Sequence, residues 1–458
     1  MALKGFFYRV FRGVGHVLLL GLIAAVSCRG PAGPAAKTGE SGLPSLREQA
    51  ALYNGWLKAR FERVLPELMR REKVDMWVVI CREHAEDPVY PTLMPRPNMF
   101  AWRLSMLVFF DRGADKGVEC LSVNPYGSGD FNREIGEYYR PGWMESAEDP
   151  WARLTRIVME RDPERIAVNE SKTFAFADGL SASLKTDLLA ALGPGLGGRV
   201  VSAERLAVGW LETRTAGELE FYDRLVSINR RVAAEALSNK VIKPGVTTLD
   251  DLGWWTRERF AGLGLEAWFQ PTYYIMRSSR EAPGDRRVVQ RGDVVRCDIG
   301  FRLMGMTTDV QEVAYVLKEG EREAPAGLRE ALRLGNRLQD ILTGEFAAGK
   351  TGNEVLAAAL GKARVEGLKP RIYSHPLNYY GHGAGTRIGP GDAQGGVPGM
   401  GDYPLHADTC WAVELGVAAV VPEWGGQEVY LALEQSAVFT AEGVRYPAGR
   451  QTGFHLIK

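Results

Sequence analysis

Histidine and cysteine are scarce in this sequence, and neither sign of charge is in excess. The 458 residues include six histidines and five cysteines, and 56 lysines and arginines balance 56 aspartates and glutamates. This balance, together with the lack of Lys/Arg runs, argues against a nucleic-acid partner. No two cysteines form a close pair, which excludes a zinc-ribbon site. Because histidines are so few, each can be weighed individually as a ligand or an acid–base group.

The length and the element pattern predict two folded domains. A chain of 458 residues is too long for one ordinary hydrophobic core. Strands alternate with helices between residues 46 and 212, which indicates an α/β domain. Residues 213–458 place helices between antiparallel strands, which indicates an α+β domain and gives the chain its overall α+β class.

The N-terminus reads as an export signal followed by a tether. Three basic side chains precede an apolar run at residues 17–26 that is too short for a comfortable membrane span. The run ends in small residues before Cys28 and resembles a bacterial lipobox. We therefore expect a lipoprotein signal peptide at 1–28, lipidation of Cys28 and a flexible tether at 29–45. The alternatives are an ordinary signal peptide or an uncleaved anchor, and all three place the protein outside the cytoplasm.

Two aspartates occupy apolar segments that predict a hairpin. Asp298 lies within the run Val294–Gly300, and Asp309 lies near the start of the next predicted strand, at 308–316. A carboxylate buried without a partner is costly. If the hairpin is tight, the two aspartates face each other and repel, and a cation between them would reverse the sign of that interaction. The alternative is a loose hairpin with one aspartate in a turn.

Three further residues complete a candidate metal centre. His382 is surrounded by glycines, which favour an exposed imidazole ring. Glu414 and Glu434 are single glutamates within apolar strands. One such glutamate could be a core residue paired with an arginine, but two of them beside two similar aspartates favour a shared metal site. Oxygen ligands with one imidazole suit Mn, Fe, Co or Zn, and a bridging carboxylate holds two ions about 3.5 Å apart.

The order Asp298, Asp309, His382, Glu414, Glu434 resembles the M24-type pita-bread metallopeptidases, the family of aminopeptidase P, prolidase and creatinase. The resemblance covers residues 214–458 and implies a pita-bread domain preceded by a smaller creatinase-type α/β domain. It also implies two divalent ions as cofactors. Asp298 would chelate one ion and His382 the other, and Asp309 and Glu434 would bridge them. A homodimer is a further expectation from the resemblance.

Two histidines that family peptidases use on the substrate have no counterpart here. Their ungapped positions hold Glu281 and Gly389, and no histidine lies between His84 and His375. Losing one oxyanion donor typically costs about 10²–10³ in rate. We therefore predict that His375 replaces them as a catalytic residue, whereas Glu281 forms a loop ion pair.

The sequence thus predicts an exported, lipid-anchored metallohydrolase of the bacterial cell envelope. The expected activity is that of an Xaa-Pro-type aminopeptidase or dipeptidase, with a small peptide or small amide as substrate. One alternative is a hydrolase of a non-peptide amide or amidine on the same metal site. Another is an inactive binding protein that uses a pita-bread cleft.

Overall fold

The computed structural model describes residues 42–124, 133–142, 148–281, 285, 287–391 and 394–458. The predicted signal peptide, Cys28 and nearly all of the predicted tether lie outside these ranges, so both stay predictions. Among the described helices, none combines the length and the apolar character that a membrane span requires.

A six-stranded sheet dominates the first part of the chain. Its strands are β1 (Met76–Arg82), β2 (Leu104–Asp111), β3 (Val118–Val123), β4 (Arg140–Pro141), β5 (Ile166–Val168) and β6 (Val200–Ser202). They lie in the order β4-β3-β2-β1-β5-β6, and β1 pairs antiparallel with β2 and parallel with β5. Alternate β1 side chains enter two different cores, with Trp77 and Val79 on one face and Met76 and Val78 on the other. Burial on both faces explains why β1 is a continuous apolar run.

Helices cover both faces of this sheet. They are α1 (Leu46–Ala59), α2 (Leu65–Arg71), α3 (Tyr90–Leu93), α4 (Arg133–Gly136), α5 (Pro150–Arg161), α6 (Ala182–Gly197) and α7 (Glu204–Glu212). A capping box between Ser45 and Glu48 fixes the start of α1. The alternation of helices and strands confirms the predicted α/β character of this region.

The second part of the chain contains three smaller sheets. Its strands are β7 (Glu266–Ala267), β8 (Thr272–Met276), β9 (Val294–Asp298), β10 (Phe301–Leu303), β11 (Met306–Thr307), β12 (Val313–Val316), β13 (Lys369–Ile372), β14 (His375–Leu377), β15 (Thr409–Val421), β16 (Gln427–Thr440), β17 (Gly443–Arg445) and β18 (His455–Ile457). The sheets have the orders β11-β10-β7, β18-β12-β9-β8 and β13-β15-β16-β17, and β14 also pairs with β15.

Four helices belong to the second part: α8 (Ala216–Ala236), α9 (Leu249–Gly262), α10 (Ala326–Thr343) and α11 (Gly352–Val365). Leu338 and Leu342 of α10 join the core that the inner residues of β15 also enter. Helices packed on mainly antiparallel strands confirm the α+β class. The last strand of the first sheet ends at Ser202, and the first strand of the other sheets begins at Glu266. The domain boundary at 212/213 stays a prediction.

The hairpin predicted around residues 294–316 is confirmed, and it is tight. Its turn is Met304–Gly305, with φ values of 48° and 75°. Two successive positive φ angles are typical of the type I′ turn that joins twisted antiparallel strands. Ile299 pairs with Val310, so Asp298 lies opposite position 311 and Asp309 opposite Gly300. The two aspartates therefore share a face but are offset by two residues, so they do not face each other directly.

Candidate metal centre

The hairpin places the candidate ligands on one face of a wider sheet. Gln311 pairs with Glu434, and Glu434 is the cross-strand partner of Glu414. Asp298, Gln311, Glu434 and Glu414 therefore form one row across four adjacent segments. Successive residues of a strand alternate between faces, so the next residues on this face lie two positions along each strand. Asp309 occupies that next row.

His375 enters the same site from the short strand β14. It pairs with Ala412, two residues before Glu414 on β15. Its Nε2 lies 4.0 Å from Oδ2 of Asp309 and 3.7 Å from Oε1 of Glu434. In the described part of the chain these three residues form the one group whose ligand atoms all lie within 4.8 Å of one another. Their fractional exposures are 3% for Asp309 and 1% for His375 and Glu434, so the cluster is closed to bulk solvent.

Three atoms of this cluster are buried without a hydrogen-bond partner. They are Oδ1 of Asp309, Nε2 of His375 and Oε1 of Glu434. Buried polar atoms are almost always paired in proteins, and a cation would satisfy three orphaned acceptor-capable atoms of neighbouring side chains at once. The donor set therefore fits a divalent metal, and the oxygen-rich composition with one imidazole suits Mn, Fe, Co or Zn.

The raised pKa values of the carboxylates also favour a metal site. Burial, reinforced by the charges of Glu434, Asp298 and Glu414, raises the pKa of Asp309 well above its usual range. Burial and Glu434 raise the pKa of Glu414 to about 9, although a hydrogen bond from Gln311 opposes the shift. Burial raises the pKa of Asp298 to about 6. Without cations, Glu414 would hold a proton at neutral pH, so metal binding by this carboxylate releases a proton.

His375 is held in the form that a metal ligand requires. Burial lowers its pKa to about 4, so the imidazole is neutral at physiological pH. Its Nδ1 lies 3.3 Å from the carbonyl oxygen of Pro376, which leaves Nε2 free to face the carboxylates. A hydrogen bond from one ring nitrogen to a backbone carbonyl commonly fixes the tautomer of a metal-binding histidine.

His382 occupies a different place from the one predicted for it. It is exposed, and it does not belong to the cluster of Asp309, His375 and Glu434 in the described residues. Its ring stands nearly perpendicular to that of His375, with centroids 4.5 Å apart, and the rings of Trp268 and Tyr373 lie at 5.4 Å and 6.1 Å. The geometry therefore favours an exchange of the predicted roles, with His375 as ligand and His382 at the open side of the centre.

The loop that carries His382 is held from two sides. The hydroxyl of Tyr380 donates to the carbonyl of Pro88, and its ring stacks on Phe176 at 4.1 Å. On the other side, a Cβ at position 381 would lie 2.2 Å from the ring of Trp268, so only glycine fits there. Connecting segments from the first and the second part of the chain thus hold this loop between them.

Sequence reasoning missed several contributors to the site. Gln311 donates to Glu414 at 2.9 Å and stands between two ligand strands. Trp268 packs against the ring of His382, and its Nε1 donates to the carbonyl of Thr308 at 2.9 Å. Glu281 forms an ion pair with Lys318, as expected of a loop residue.

With this geometry in hand, comparison with known proteins is informative. Residues 220–445 match the model of metallopeptidase family M24. Through this region the chain belongs to metallopeptidase family M24. Membership of this family makes the chain a metal-dependent hydrolase, and the M24 region contains all five predicted ligands. None of the curated proteins matches the sequence significantly.

Solved structures share the fold over most of the chain. The X-Pro aminopeptidase from Thermotoga maritima has 15% identity and a TM-score of 0.60, with 85% of this chain and 99% of that one covered. The Xaa-Pro dipeptidase from Bacillus anthracis has 15% identity and a TM-score of 0.53, with 89% and 99% covered. The N-terminal domain of the FACT complex subunit SPT16 from chickpea has 9% identity and a TM-score of 0.55, with 89% and 99% covered. At these identities the similarity establishes the pita-bread architecture and no particular substrate.

Proposed function

We propose that the chain is a dinuclear-metal aminopeptidase or dipeptidase of the Xaa-Pro type that acts on short exported peptides. The observation that carries this proposal is the group of three orphaned atoms on Asp309, His375 and Glu434. Asp298 and Glu414 complete the ligand set from the neighbouring positions of the same sheet face. The ions would be Mn, Co, Fe or Zn.

The roles of the protein groups follow from their positions. When bound, a pair of divalent ions supplies Lewis-acid chemistry, which polarises a carbonyl and makes water nucleophilic at neutral pH. Exposed His382 is placed to hydrogen-bond the carbonyl oxygen of a bound amide. Trp268 packs against His382 and limits the access of water on that side. This arrangement gives one histidine in place of the two that family peptidases use.

The decisive experiment measures metal content and peptide cleavage together. The full-length protein in detergent is loaded with each of Mn, Fe, Co and Zn, assayed by mass spectrometry for bound metal and tested on a panel of Xaa-Pro peptides. We expect about two ions per chain and cleavage, with both lost in Asp309→Asn. Asp340→Asn serves as the matched control, because Asp340 lies on α10 in an ion pair with Arg450.

The other outcomes identify the alternatives. Two ions without peptide cleavage would favour hydrolysis of a non-peptide amide or amidine. A chain that binds no metal under any loading condition would contradict the proposal and favour a binding protein. The shared fold with a subunit of the FACT complex keeps that last alternative in view.

We further propose that the protein is anchored to the cell envelope through lipidated Cys28. The support is the sequence of residues 1–28, in which a basic segment, a short apolar run and small residues precede Cys28. Metabolic labelling with a fatty acid should mark the wild-type protein but not Cys28→Ala. Equal labelling of both would contradict the anchor.

A further inference from the structure

A second row of side chains lies beside the carboxylate row on the same sheet face. Arg296 is two residues before Asp298 on β9, so both side chains point to the same face. Arg296 pairs with Tyr274 on β8. On the other strands of this row lie the small residues Ala432 and Gly416, which are cross-strand partners. Small residues between larger ones leave room above the sheet.

That room is a cavity of about 350 Å³. Its lining includes Tyr274, Arg296, Val313, Tyr430 and Ala432. A Cβ on Gly416 would lie 2.4 Å from Cζ of Tyr430, so the tyrosine ring leans over the glycine, toward the carboxylate row. A volume of this size is typical of small-ligand sites, which occupy about 300–1,000 Å³.

Arg296 brings a positive charge into this cavity, and that charge acts at longer range on the carboxylates of Asp298, Glu414 and Glu434. Its guanidinium Cζ lies 4.3 Å from the ring centroid of Tyr274, and its buried Nε has no hydrogen-bond partner. In the described ranges Arg296 forms no ion pair. The other charged residue of the lining is Glu428, at the outer end, and it pairs with Lys369.

Metal binding at the centre would change the charge balance around the Arg296 guanidinium. The carboxylates of Asp298, Asp309, Glu414 and Glu434 carry four negative charges, and two divalent ions carry four positive charges. These cancel, so the charge of Arg296 remains available to a ligand. A partly buried arginine is a strong site for a carboxylate, because its planar fork can make two parallel charge-assisted hydrogen bonds.

We propose that this cavity binds a carboxylate of the substrate through Arg296, with Tyr274 and Tyr430 along its walls. The inference rests on the proposed function and narrows its substrate class to short amides that carry a free carboxylate. Two residues along a strand separate the Arg296 row from the Asp298 row by about 7 Å. An extended peptide covers that length in about two residues, so a dipeptide or tripeptide can reach both rows.

The test compares matched substrates on the full-length, metal-loaded protein. One dipeptide carries a free C-terminal carboxylate, and its partner carries a carboxamide at the same atom. We expect wild-type kcat/KM to favour the carboxylate by about tenfold or more, as for a charge-assisted hydrogen bond. In Arg296→Gln this ratio should fall to about one, and Arg296→Lys should give an intermediate ratio because lysine offers only a point charge.

The matched control is Arg333→Gln, which removes the same charge from the exposed face of α10, where Arg333 pairs with Glu330. The ratio should stay at the wild-type value in this variant. Circular dichroism and metal content of each variant show whether the fold and the centre are intact. A wild-type ratio near one, or a ratio that Arg296→Gln and Arg296→Lys leave unchanged, would overturn the inference.

A binding measurement separates this inference from the proposed function. Calorimetric titration uses a hydrolysis-resistant dipeptide analogue in its carboxylate and carboxamide forms, with metal-free and metal-loaded protein. A preference for the carboxylate that disappears in Arg296→Gln, without cleavage of any peptide, would retain the cavity and reject the peptidase. Cleavage of peptides with no carboxylate preference would retain the peptidase and reject the role of Arg296.

Discussion

Two buried carboxylate clusters lie side by side in this molecule and differ in how their charge is balanced. Glu312 is 1% exposed, as is Glu434. Glu312 lies 2.7 Å from Nε of Arg230 and 2.6 Å from Nε2 of His455. Among the described residues, Glu434 and its neighbour Asp309 have no arginine or lysine at ion-pair distance, and each keeps an oxygen without a hydrogen-bond partner.

The pKa values of the two clusters move in opposite directions. Burial raises the pKa of Glu312, but the hydrogen bond from His455 and the charge of Arg230 outweigh it, so the net pKa is lowered. Burial and neighbouring carboxylates raise the pKa of Asp309 with no compensating cation. A buried acid therefore indicates a functional site when the protein itself supplies no counter-charge. Buried carboxylates with strongly raised pKa values cluster at functional sites, where they serve binding or catalysis.

The largest expected effect comes from breaking the unbalanced cluster at its histidine. His375→Ala should lower metal affinity by more than about 100-fold, because it removes the imidazole closest to two carboxylates. His382→Ala should keep the metal and lower kcat by about 10²–10³-fold, as for the loss of one oxyanion donor. Metal content and steady-state kinetics of the two variants check this.

Each histidine variant is the control for the other, because each removes one imidazole of the same perpendicular ring pair. The reverse result, with metal lost in His382→Ala and retained in His375→Ala, would restore the assignment made from sequence. Loss of metal in both variants would mean that the perpendicular ring pair acts as one ligand unit.

The balanced cluster should respond in stability and leave the metal unaffected. Glu312→Ala deprives Arg230 and His455 of their partner. We expect a loss of about 2–3 kcal/mol in the free energy of unfolding, since both cations are partly exposed and can be partly hydrated. Urea denaturation measures the loss, and metal stoichiometry should stay at the wild-type value. Loss of metal in this variant would join Glu312 to the centre and remove the distinction between the clusters.

A smaller effect should appear in the pH dependence of stability. The folded pKa of Glu414 is about 9, above its ordinary value of 4.5. In metal-free protein its contribution is present below pH 4.5 and is lost as pH rises toward 9, because the unfolded chain ionises first. Glu312 has the opposite sign, and its contribution is lost as pH falls below 4.5.

Denaturation of metal-free wild type and Glu414→Gln between pH 7 and 8 tests the sign, because the buried histidines, whose pKa is lowered to about 4, contribute little pH dependence in that range. The wild type should lose stability as pH rises, with a slope of up to about 1.4 kcal/mol per pH unit from this one group. Glu414→Gln should show a shallower slope. A steeper slope, or a rise in wild-type stability over this range, would contradict the predicted proton balance.

Much of the site could be predicted because buried charge is conspicuous in a strand. Asp298, Glu414 and Glu434 each interrupt an apolar run, and period-two alternation then predicts the face that they share. The same logic predicted the hairpin that carries Asp309. Its register could not be read, because the positive φ angles needed at Met304 and Gly305 are signalled by only one glycine.

The histidine assignment depended on long-range pairing that local sequence does not encode. Glycines around His382 correctly indicated an exposed ring, but exposure does not make a ligand. His375 reaches the carboxylates because a three-residue strand containing Pro376 pairs with β15. So short a segment with a proline gives no strand signal. The possible role of Arg296 was missed for another reason, because the segment 294–300 was interpreted as one apolar strand around Asp298.

The contacts of Tyr380 bear on whether the second half of the chain could function as an isolated domain. Tyr380 lies two residues before His382. Its ring stacks on Phe176, and its hydroxyl donates a hydrogen bond to the carbonyl of Pro88. A deletion of the first sheet would remove one wall of that segment while leaving every metal ligand in the chain. Such a fragment could keep its ions and still lose turnover. The second half of the chain, expressed alone, would therefore keep the residues that bind metal but lack the contacts that position His382.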